Sequence, residues 1–300
     1  MKTQMSGKKG NVTPEPCAEL VSVLIQHLTK SKPLKENKGL SLLELLIALV
    51  IAGVLLGALY RTFIGGQKIY TVQEGVADTQ QYVRASIDQM VRNIRMAGSG
   101  GNILSAFGHI NGVTSIITPV HSTNDSITIL IADQVSTLTA DAAKGSSQVT
   151  LNNPSSNFNT GAKKYLCLNG ENNYVVQSVS GNTVTLVSTL AEDHRSGELV
   201  YLIKAITYQL DTTDATVPTL VKDEHTGLGS QVVAENIEKL KFHYTLSDGT
   251  VTDSPANPAD IRMVKIDITA RTKMPDPQLP GDGYRRRELN SFVNVRNMGL

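Results

Sequence analysis

The stretch KENKGLSLLELLIALVIAGVLLGALYRTF, Lys35–Phe63, decides how the chain begins to fold. From Leu45 to Tyr60 every residue is apolar, glycine or tyrosine. Adding Leu40–Glu44 gives a run of about 21 residues, and a helix of that length spans the hydrocarbon core of a bilayer at 1.5 Å per residue. The stretch therefore predicts one membrane-spanning helix over residues 40–60.

Positive charge is concentrated on the N-terminal side of this predicted helix. The nearest upstream cations are Lys30, Lys32, Lys35 and Lys38. Downstream, only Arg61 and Lys68 precede Arg84. By the positive-inside bias, the N-terminus stays cytoplasmic and the bulk of the chain crosses the membrane.

Three kinds of N-terminal segment are compatible with such a run. A cleaved secretory signal usually has an apolar region of only about 7–15 residues followed by a small-x-small site, and this run is longer and lacks that site. A plain signal anchor is the second possibility. The third has to explain the one charged residue in the run, Glu44.

Glu44 requires compensation in a membrane. A charged side chain at the centre of a membrane helix costs about 2.5–3.5 kcal/mol on insertion scales, and less near the edge. Snorkelling or protonation would reduce that cost, and so would an opposite charge, worth about 4 kcal/mol at 4 Å and an effective dielectric constant near 20. A free amine on Leu40 would be such a cation, and it exists only if the chain is cut after Gly39.

The pattern of a basic residue, Gly39, an apolar residue, three more residues, Glu44 and an apolar helix resembles the class III signal of type IV pilins and type II secretion pseudopilins. The resemblance implies cleavage after Gly39 by a prepilin peptidase, N-methylation of Leu40 and a role for Glu44 in subunit assembly. Leu40 stands where most members of these families have Phe. The leader of 39 residues is also much longer than usual.

Helical periodicity continues beyond Arg61. Apolar residues recur along one helix face at Val72, Val76, Val83, Ile87, Met90 and Ile94. A glycine-rich break, GSGGN, follows this pattern at residues 98–102. We expect a leader over residues 1–39, a membrane helix over 40–60, its amphipathic continuation over 61–97 and a periplasmic β-rich domain over 98–300.

Several glycines lie within the predicted helix, and Gly65 and Gly66 are adjacent. Because each glycine costs about 1 kcal/mol relative to alanine in a helix, local melting near Ile64–Gln67 is one expectation. The alternative is that the glycines are small residues at contacts between helices.

Two further segments resemble PilW-type minor pilins. They are DTQQYVRASIDQMVRNIRMAG, Asp78–Gly98, and the tail YRRRELNSFVNVRN, Tyr284–Asn297. The resemblance implies a minor pilin that takes part in assembly of a type IV pilus, with GspJ-type pseudopilins as close relatives. Its implied partners are the prepilin peptidase and other minor and major pilins, contacted through the N-terminal helix. Its implied location is the inner membrane and then the pilus at the cell surface.

Beyond residue 101 the sequence predicts short β-strands rich in β-branched residues. The predicted strands are Asp125–Asp133, Ser147–Leu151, Lys164–Leu168, Asn173–Ser188, Glu198–Leu210, Lys239–Leu246 and Ile261–Arg271. The turn signal SGNT makes the fourth of these a hairpin, and NIEKL at residues 236–240 suggests a short helical turn. A long helix followed by strands predicts an α+β fold, with antiparallel sheets and the helix packed on one face.

The composition argues against nucleic-acid binding and catalysis. Residues 40–300 hold 21 basic and 24 acidic residues, Trp is absent and aromatic residues make up 5% of the chain, so neither a basic patch nor a stacking platform is expected. The six histidines have no metal-ligand spacing, and no nucleophile, P-loop or dinucleotide motif occurs. We therefore expect no catalytic residue, no cofactor and no metal, and a protein that is not an enzyme.

Two smaller features leave alternatives open. Five residues, Asp211, Asp214, Asp223, Glu224 and His225, fall in one predicted loop. They are interpreted as solvated acids in preference to a Ca²⁺ site. The run Arg285–Arg287 is interpreted as a solvated charge run in preference to a partner surface.

The two cysteines, Cys17 and Cys167, lie on opposite sides of the membrane helix, so we expect no disulfide between them. We expect Cys167 to be a buried thiol on a strand.

Overall fold

The computed structural model describes residues 41–276 and 278–298. The chain divides into two compact units, with the boundary after Gly66. The helices are α1, Leu42–Arg95, and α2, Ile103–Phe107. Short 3₁₀ turns lie at Pro154–Ser156 and Pro258–Asp260.

Thirteen strands follow the helices in the described chain. They are β1 Ile117–Val120, β2 Ser126–Thr137, β3 Gln148–Thr150, β4 Tyr165–Leu168, β5 Asn172–Ser180, β6 Thr183–Leu186, β7 Leu199–Asp211, β8 Thr219–Asp223, β9 Ser230–Glu235, β10 Ile237–Leu246, β11 Val251–Thr252, β12 Ile261–Arg271 and β13 Arg286–Asn294. All their pairings are antiparallel. A long apolar helix followed by antiparallel sheets confirms the α+β prediction.

The first unit contains the apolar half of α1. Leucine and alanine, both strong helix formers, dominate its sequence, and Glu44 in the first turn suits the positive end of the helix dipole. Among the described residues, α1 is the one helix long and apolar enough to cross a membrane, and none of its most apolar window is buried within the chain.

The adjacent glycines do not interrupt α1, which runs continuously through Gly65 and Gly66. The expected melting near residues 64–67 is therefore absent, because one or two glycine penalties of about 1 kcal/mol do not outweigh helix propagation on both sides. A Cβ added at either glycine would meet no atom within 4 Å. Contact of these glycines with another helix stays a prediction.

In the second unit the amphipathic pattern of α1 meets the main core. Four of the predicted face residues, Val83, Ile87, Met90 and Ile94, are buried. They pack with residues from both sheets in one hydrophobic cluster. Val72 and Val76, nearer the boundary, are only half-buried. The helical periodicity therefore predicts the packed face correctly over its last four members.

The helix ends at Arg95, two residues before the predicted end at Ala97, and a turn carries the chain through the glycine-rich break. Gly100 explains why this break needs glycine. Its φ is +100°, and a Cβ there would lie 2.7 Å from Cδ1 of Ile203. Any other residue would be strained in its backbone and would collide with the core.

The larger sheet has nine strands. Its path is β1-β2-β7-β4-β5-β6-β3, with β8 paired to β7 and β9 paired to β8. The smaller sheet has four strands in the order β11-β10-β12-β13. The inward side chains of β10 include Leu240, Phe242 and Tyr244. They are buried in the hydrophobic cluster that also contains the buried face of α1. This core therefore joins the helix to both sheets.

Residues 138–198 form a lobe inserted between β2 and β7. The chain leaves at Thr137 and returns at Leu199, and these two residues are paired across the β2–β7 ladder. Val149, Phe158 and Leu186 of this lobe pack in a second hydrophobic cluster, to which β7 contributes Val200 and Leu202, and β4 of the lobe pairs with β7. We call residues 138–198 the inserted lobe.

The structure confirms some local predictions and corrects others. The hairpin with a turn at Gly181–Asn182 is present as β5 and β6. The helical turn expected at residues 236–240 is wrong, because the segment from Ile237 onward is β10 and pairs with β12. Alternation of buried Leu240 with exposed Lys239 and half-exposed Lys241 places the segment in a sheet with one covered face.

Candidate processing and assembly site

The N-terminal end of α1 carries the candidate site. Gly39 and Leu40, the predicted cleavage and methylation positions, lie outside the described residues. The described chain begins at Ser41, whose carbonyl oxygen accepts hydrogen bonds from the amides of Glu44, at 2.9 Å, and Leu45, at 3.1 Å. Glu44 therefore lies in the first turn of the helix, immediately after the predicted cleavage position.

The Glu44 side chain is exposed on an apolar helix surface. One turn further along, Ile47 and Ala48 occupy the same helix face. The next charged residue of the chain is Arg61. It lies seventeen positions after Glu44 in the helix, about 25 Å along the axis, which is far beyond ion-pair distance.

Two roles are compatible with this geometry. A first-turn carboxylate interacts favourably with the helix dipole, an effect worth about 0.3–1 kcal/mol at exposed positions, and this role needs no second molecule. In hydrocarbon, however, that interaction is smaller than the cost of burying the charge. A cation at the helix start, on this chain or on a neighbour, would neutralise Glu44 more fully.

The apolar residues around Glu44 are also unburied by any other part of the chain that the structure describes. Leu42 is 83% exposed and Leu49 is 69% exposed, whereas core leucines of the second unit are completely buried. This surface suits either lipid or the apolar helices of other subunits.

The acidic segment near residue 211 is not a single loop. Residues Thr219–Asp223 form β8, so the predicted loop is divided by a strand. Asp211 and Asp214 each accept bonds from the threonine two residues later, which is local turn chemistry. Glu224 instead bonds two lysines, Lys204 at 2.8 Å and Lys222 at 2.7 Å.

Lys204 is the centre of this ion cluster. Its ammonium group lies 2.8 Å from Asp133 and 2.8 Å from Glu224, and its side chain is 8% exposed. Burial alone would lower the pKa of Lys204, but its two carboxylate partners raise that pKa overall. Burial likewise would raise the pKa of Glu224, and bonds from Lys204 and Lys222 lower it overall. These charges hold strands together; within the described residues no group of three or more ligand side chains is arranged to hold a metal ion.

The arginine run is partly paired within the chain. Arg285 bonds Asp276 at 2.7 Å, and Arg286 bonds Glu238 at 2.6 Å. Arg287 is exposed. All three arginines are exposed, as expected for a solvated charge run, but two of them are also ion-paired, Arg285 with a carboxylate nine residues away and Arg286 with one 48 residues away.

Sequence reasoning also missed Asp125, which stabilises the smaller sheet. It is 2% exposed and accepts bonds from the backbone amides of Ser122 and Phe242 and from Lys241. No local pattern marks it, since two of these partners lie more than 110 residues away.

The prediction for Cys167 is confirmed: it is completely buried on β4, and burial raises the pKa of its thiol to about 11. Cys17 lies outside the described residues.

The comparison with protein families agrees with the position of the site. The model of the prokaryotic N-terminal methylation motif matches residues 34–60, which contain Gly39, Leu40 and Glu44. No curated protein matches the chain. The motif indicates a precursor of the type IV pilin or pseudopilin kind.

Proposed function

We propose that this chain is a minor prepilin that takes part in initiating or assembling a type IV pilus. The observation that carries the proposal is the methylation motif at residues 34–60, which includes the start of a helix whose most apolar window is unburied in the described chain. In this proposal a prepilin peptidase cuts after Gly39 on the cytoplasmic face of the inner membrane. The new N-terminus, Leu40, is then N-methylated.

The second step of the proposal is assembly through Glu44. The Leu40 amine created by cleavage pairs with the Glu44 carboxylate of a neighbouring subunit as the helix leaves the lipid. A pair at 4 Å and an effective dielectric constant near 20 is worth about 4 kcal/mol, which is comparable with the cost of the buried carboxylate. A subunit in the wrong axial position leaves this charge unpaired, so the pair selects the correct position.

The β-rich second unit faces the periplasm in this proposal and becomes part of the fibre surface after assembly. The partners are the peptidase and other pilins that contact the N-terminal helix. No catalytic role, cofactor or nucleic acid enters the proposal, since the charge pair and the apolar helix supply what assembly requires.

The cleavage step is tested by the N-terminus of the protein extracted from membranes. Intact mass spectrometry and N-terminal sequencing should find a chain that begins at Leu40 and carries an added methyl group. Gly39→Leu should leave the full-length precursor in the membrane, whereas Gly10→Leu in the same leader should not. A protein that retains Met1 would instead support a membrane-anchored β domain with no assembly role.

The assembly step is tested by Glu44→Gln, which removes the charge and keeps the shape. We expect normal cleavage and at least a tenfold lower content of the variant in sheared fibres. Glu74→Gln is the matched control, because Glu74 is an exposed glutamate further along α1. Equal incorporation of Glu44→Gln and wild type would contradict the proposed charge pair.

The alternative within the same superfamily is a GspJ-like minor pseudopilin of a type II secretion system. It predicts the same cleavage, and there Glu44→Gln should impair protein export. The two differ in the product, because a pilus subunit is found in fibres sheared from the cell surface, whereas loss of a pseudopilin blocks protein export without removing surface fibres.

A further inference from the structure

Strand β13 forms one edge of the smaller sheet. It has nine residues, Arg286–Asn294, and pairs with β12 along its whole length without a register shift. On the other side of β13 no strand is paired in the described chain. A regular edge of this length presents a row of backbone donors and acceptors to any strand that approaches.

Two hydrogen bonds fix which residues face outward. The amide of Val295 donates to the carbonyl of Arg262, and the amide of Thr272 donates to the carbonyl of Arg285. Because antiparallel pairs alternate between bonded and non-bonded positions, the odd-numbered residues of β13 bond β12. The outward backbone groups belong to Arg286, Glu288, Asn290, Phe292 and Asn294, and all five side chains are exposed.

The other sheet edges in the described chain are short or protected. Strand β1 has four residues including Pro119, β3 has three, β11 has two, and β9 has six with an irregularity opposite β8. The flank of β10 beside β11 is closed by Asp125, whose carboxylate accepts the Phe242 amide and whose own amide donates to Leu240. Short strands, proline and irregular pairing prevent strand addition. Asn290–Asn294 of β13 has no charge, proline or bulge, and Phe292 there is 57% exposed.

We propose that two copies of this chain associate by antiparallel pairing of their β13 strands, with Asn290 opposite Asn290 of the second copy. In this register all five outward amides of each strand find an acceptor. Phe292 faces Glu288 of the second copy and Asn294 faces Arg286, so no like charges meet.

Neighbouring registers are less favourable. Centring the pair on Glu288 would place two glutamates directly opposite each other, which is destabilising. Centring it on Phe292 would leave the outward groups of Arg286 and Glu288 without a partner. The self-complementary register at Asn290 is therefore the one that uses the whole strand, as a two-fold interface requires.

One added strand pair makes a small interface, so the association is weak in dilute solution and is favoured where the protein is concentrated in a membrane or a fibre. The inference does not depend on the proposed function, because β13 lies entirely in the second unit and the pairing needs no cleavage at Gly39.

Proline substitution tests the interface in the full chain. Asn290→Pro removes an outward amide and no bond to β12, so the fold should persist as it does for proline on other edge strands. We expect sedimentation of the detergent-solubilised protein to show a concentration-dependent dimer for the wild type and at least tenfold weaker association for Asn290→Pro. Asn290→Ala, which keeps the amide, should associate like the wild type. Ser291→Pro removes an amide that bonds β12 and should instead destabilise the sheet, which confirms the assignment of outward positions.

A disulfide tests the register. Residues facing each other at a bonded antiparallel position have Cα atoms about 5.5 Å apart, within disulfide range. In a Cys17→Ser background, Asn290→Cys should therefore form covalent dimers under mild oxidation, whereas Asn182→Cys on the exposed β5–β6 turn should not. The proposal would be overturned if the wild-type protein stayed monomeric or if Asn290→Pro dimerised as well as the wild type. Equal cross-linking at both cysteine positions would also overturn it, as would occupation of β13 by a strand from a different protein.

Discussion

Replacing Asp125 by alanine should destabilise the second unit more than the same substitution of any other acidic residue in a loop. Asp125 is 2% exposed, and its two oxygens accept backbone amides of Ser122 and Phe242, each at 3.0 Å. Lys241 adds a bond at 3.1 Å to the same carboxylate. Alanine removes all of these acceptors at once and leaves no group of similar shape.

The expected loss of stability depends on whether each hydrogen-bond donor can bond water after the substitution. The Phe242 amide belongs to a completely buried residue, so its lost acceptor should cost about 1–3 kcal/mol. Lys241 is 31% exposed and can regain water, so its loss adds less. A total of about 2–3 kcal/mol corresponds to a fall in Tm of about 4–12 °C for a unit of this size.

Thermal unfolding of the full chain in detergent, followed by near-ultraviolet circular dichroism, measures this effect. Asp211→Ala is the matched control, because Asp211 is exposed and its carboxylate bonds the nearby Thr213. A Tm for Asp125→Ala within 1 °C of the control would refute the assignment of Asp125 as a structural acceptor.

The same substitution predicts a pH dependence. Burial alone would raise the pKa of Asp125, but bonds from Ser122, Phe242 and Lys241 outweigh it and lower the pKa below its ordinary value of 3.8. The stabilising contribution is therefore fully present above the ordinary value and is lost as the pH falls through the lower, folded-state value. The stability difference between wild type and Asp125→Ala should be constant near neutral pH and should shrink in strongly acidic solution.

Two more substitutions test the core and the ion cluster by urea unfolding. Ile94→Ala, at a completely buried position of α1, should cost about 2–5 kcal/mol, whereas Tyr82→Ala, 62% exposed on the same helix, should cost far less; similar costs for both would contradict the assigned packing face. Lys204→Met removes the ammonium group between Asp133 and Glu224 and should cost about 1–3 kcal/mol, since one carboxylate is half-exposed and the other keeps Lys222. An unchanged urea midpoint would show that the cluster contributes no net stability.

Local patterns in the sequence predicted the elements that depend on near neighbours. The 3.6-residue period of α1 identified the face that carries Met90 and Ile94, and β-branched alternation located most of the long strands. The hairpin of β5 and β6 followed from a turn signal a few residues long. These features were predictable because the interactions that define them lie within one or two turns or one strand.

The features that sequence reasoning missed depend on distant residues. Lys204 meets Asp133 across 71 positions and Lys241 meets Asp125 across 116 positions. The division into a nine-stranded and a four-stranded sheet depends in the same way on pairings between separated segments. The start of β10 was predicted wrongly because a short stretch with helix-forming residues is held as a strand by β12. At the candidate site, Glu44 was identified from the motif alone, since its proposed partner is the amine of a neighbouring subunit and no contact within the described residues marks it.

The paired ends of the inserted lobe have a consequence for how this protein can diversify. Because Thr137 and Leu199 are paired in the β2–β7 ladder, residues 138–198 are an insertion whose two ends lie side by side. Each doubling of the length of a flexible insertion raises the free-energy cost of closing it by only about 0.6 kcal/mol. The parts of the lobe outside β4, which pairs with β7, can therefore be enlarged while the β2–β7 ladder and the packed part of α1 stay the same.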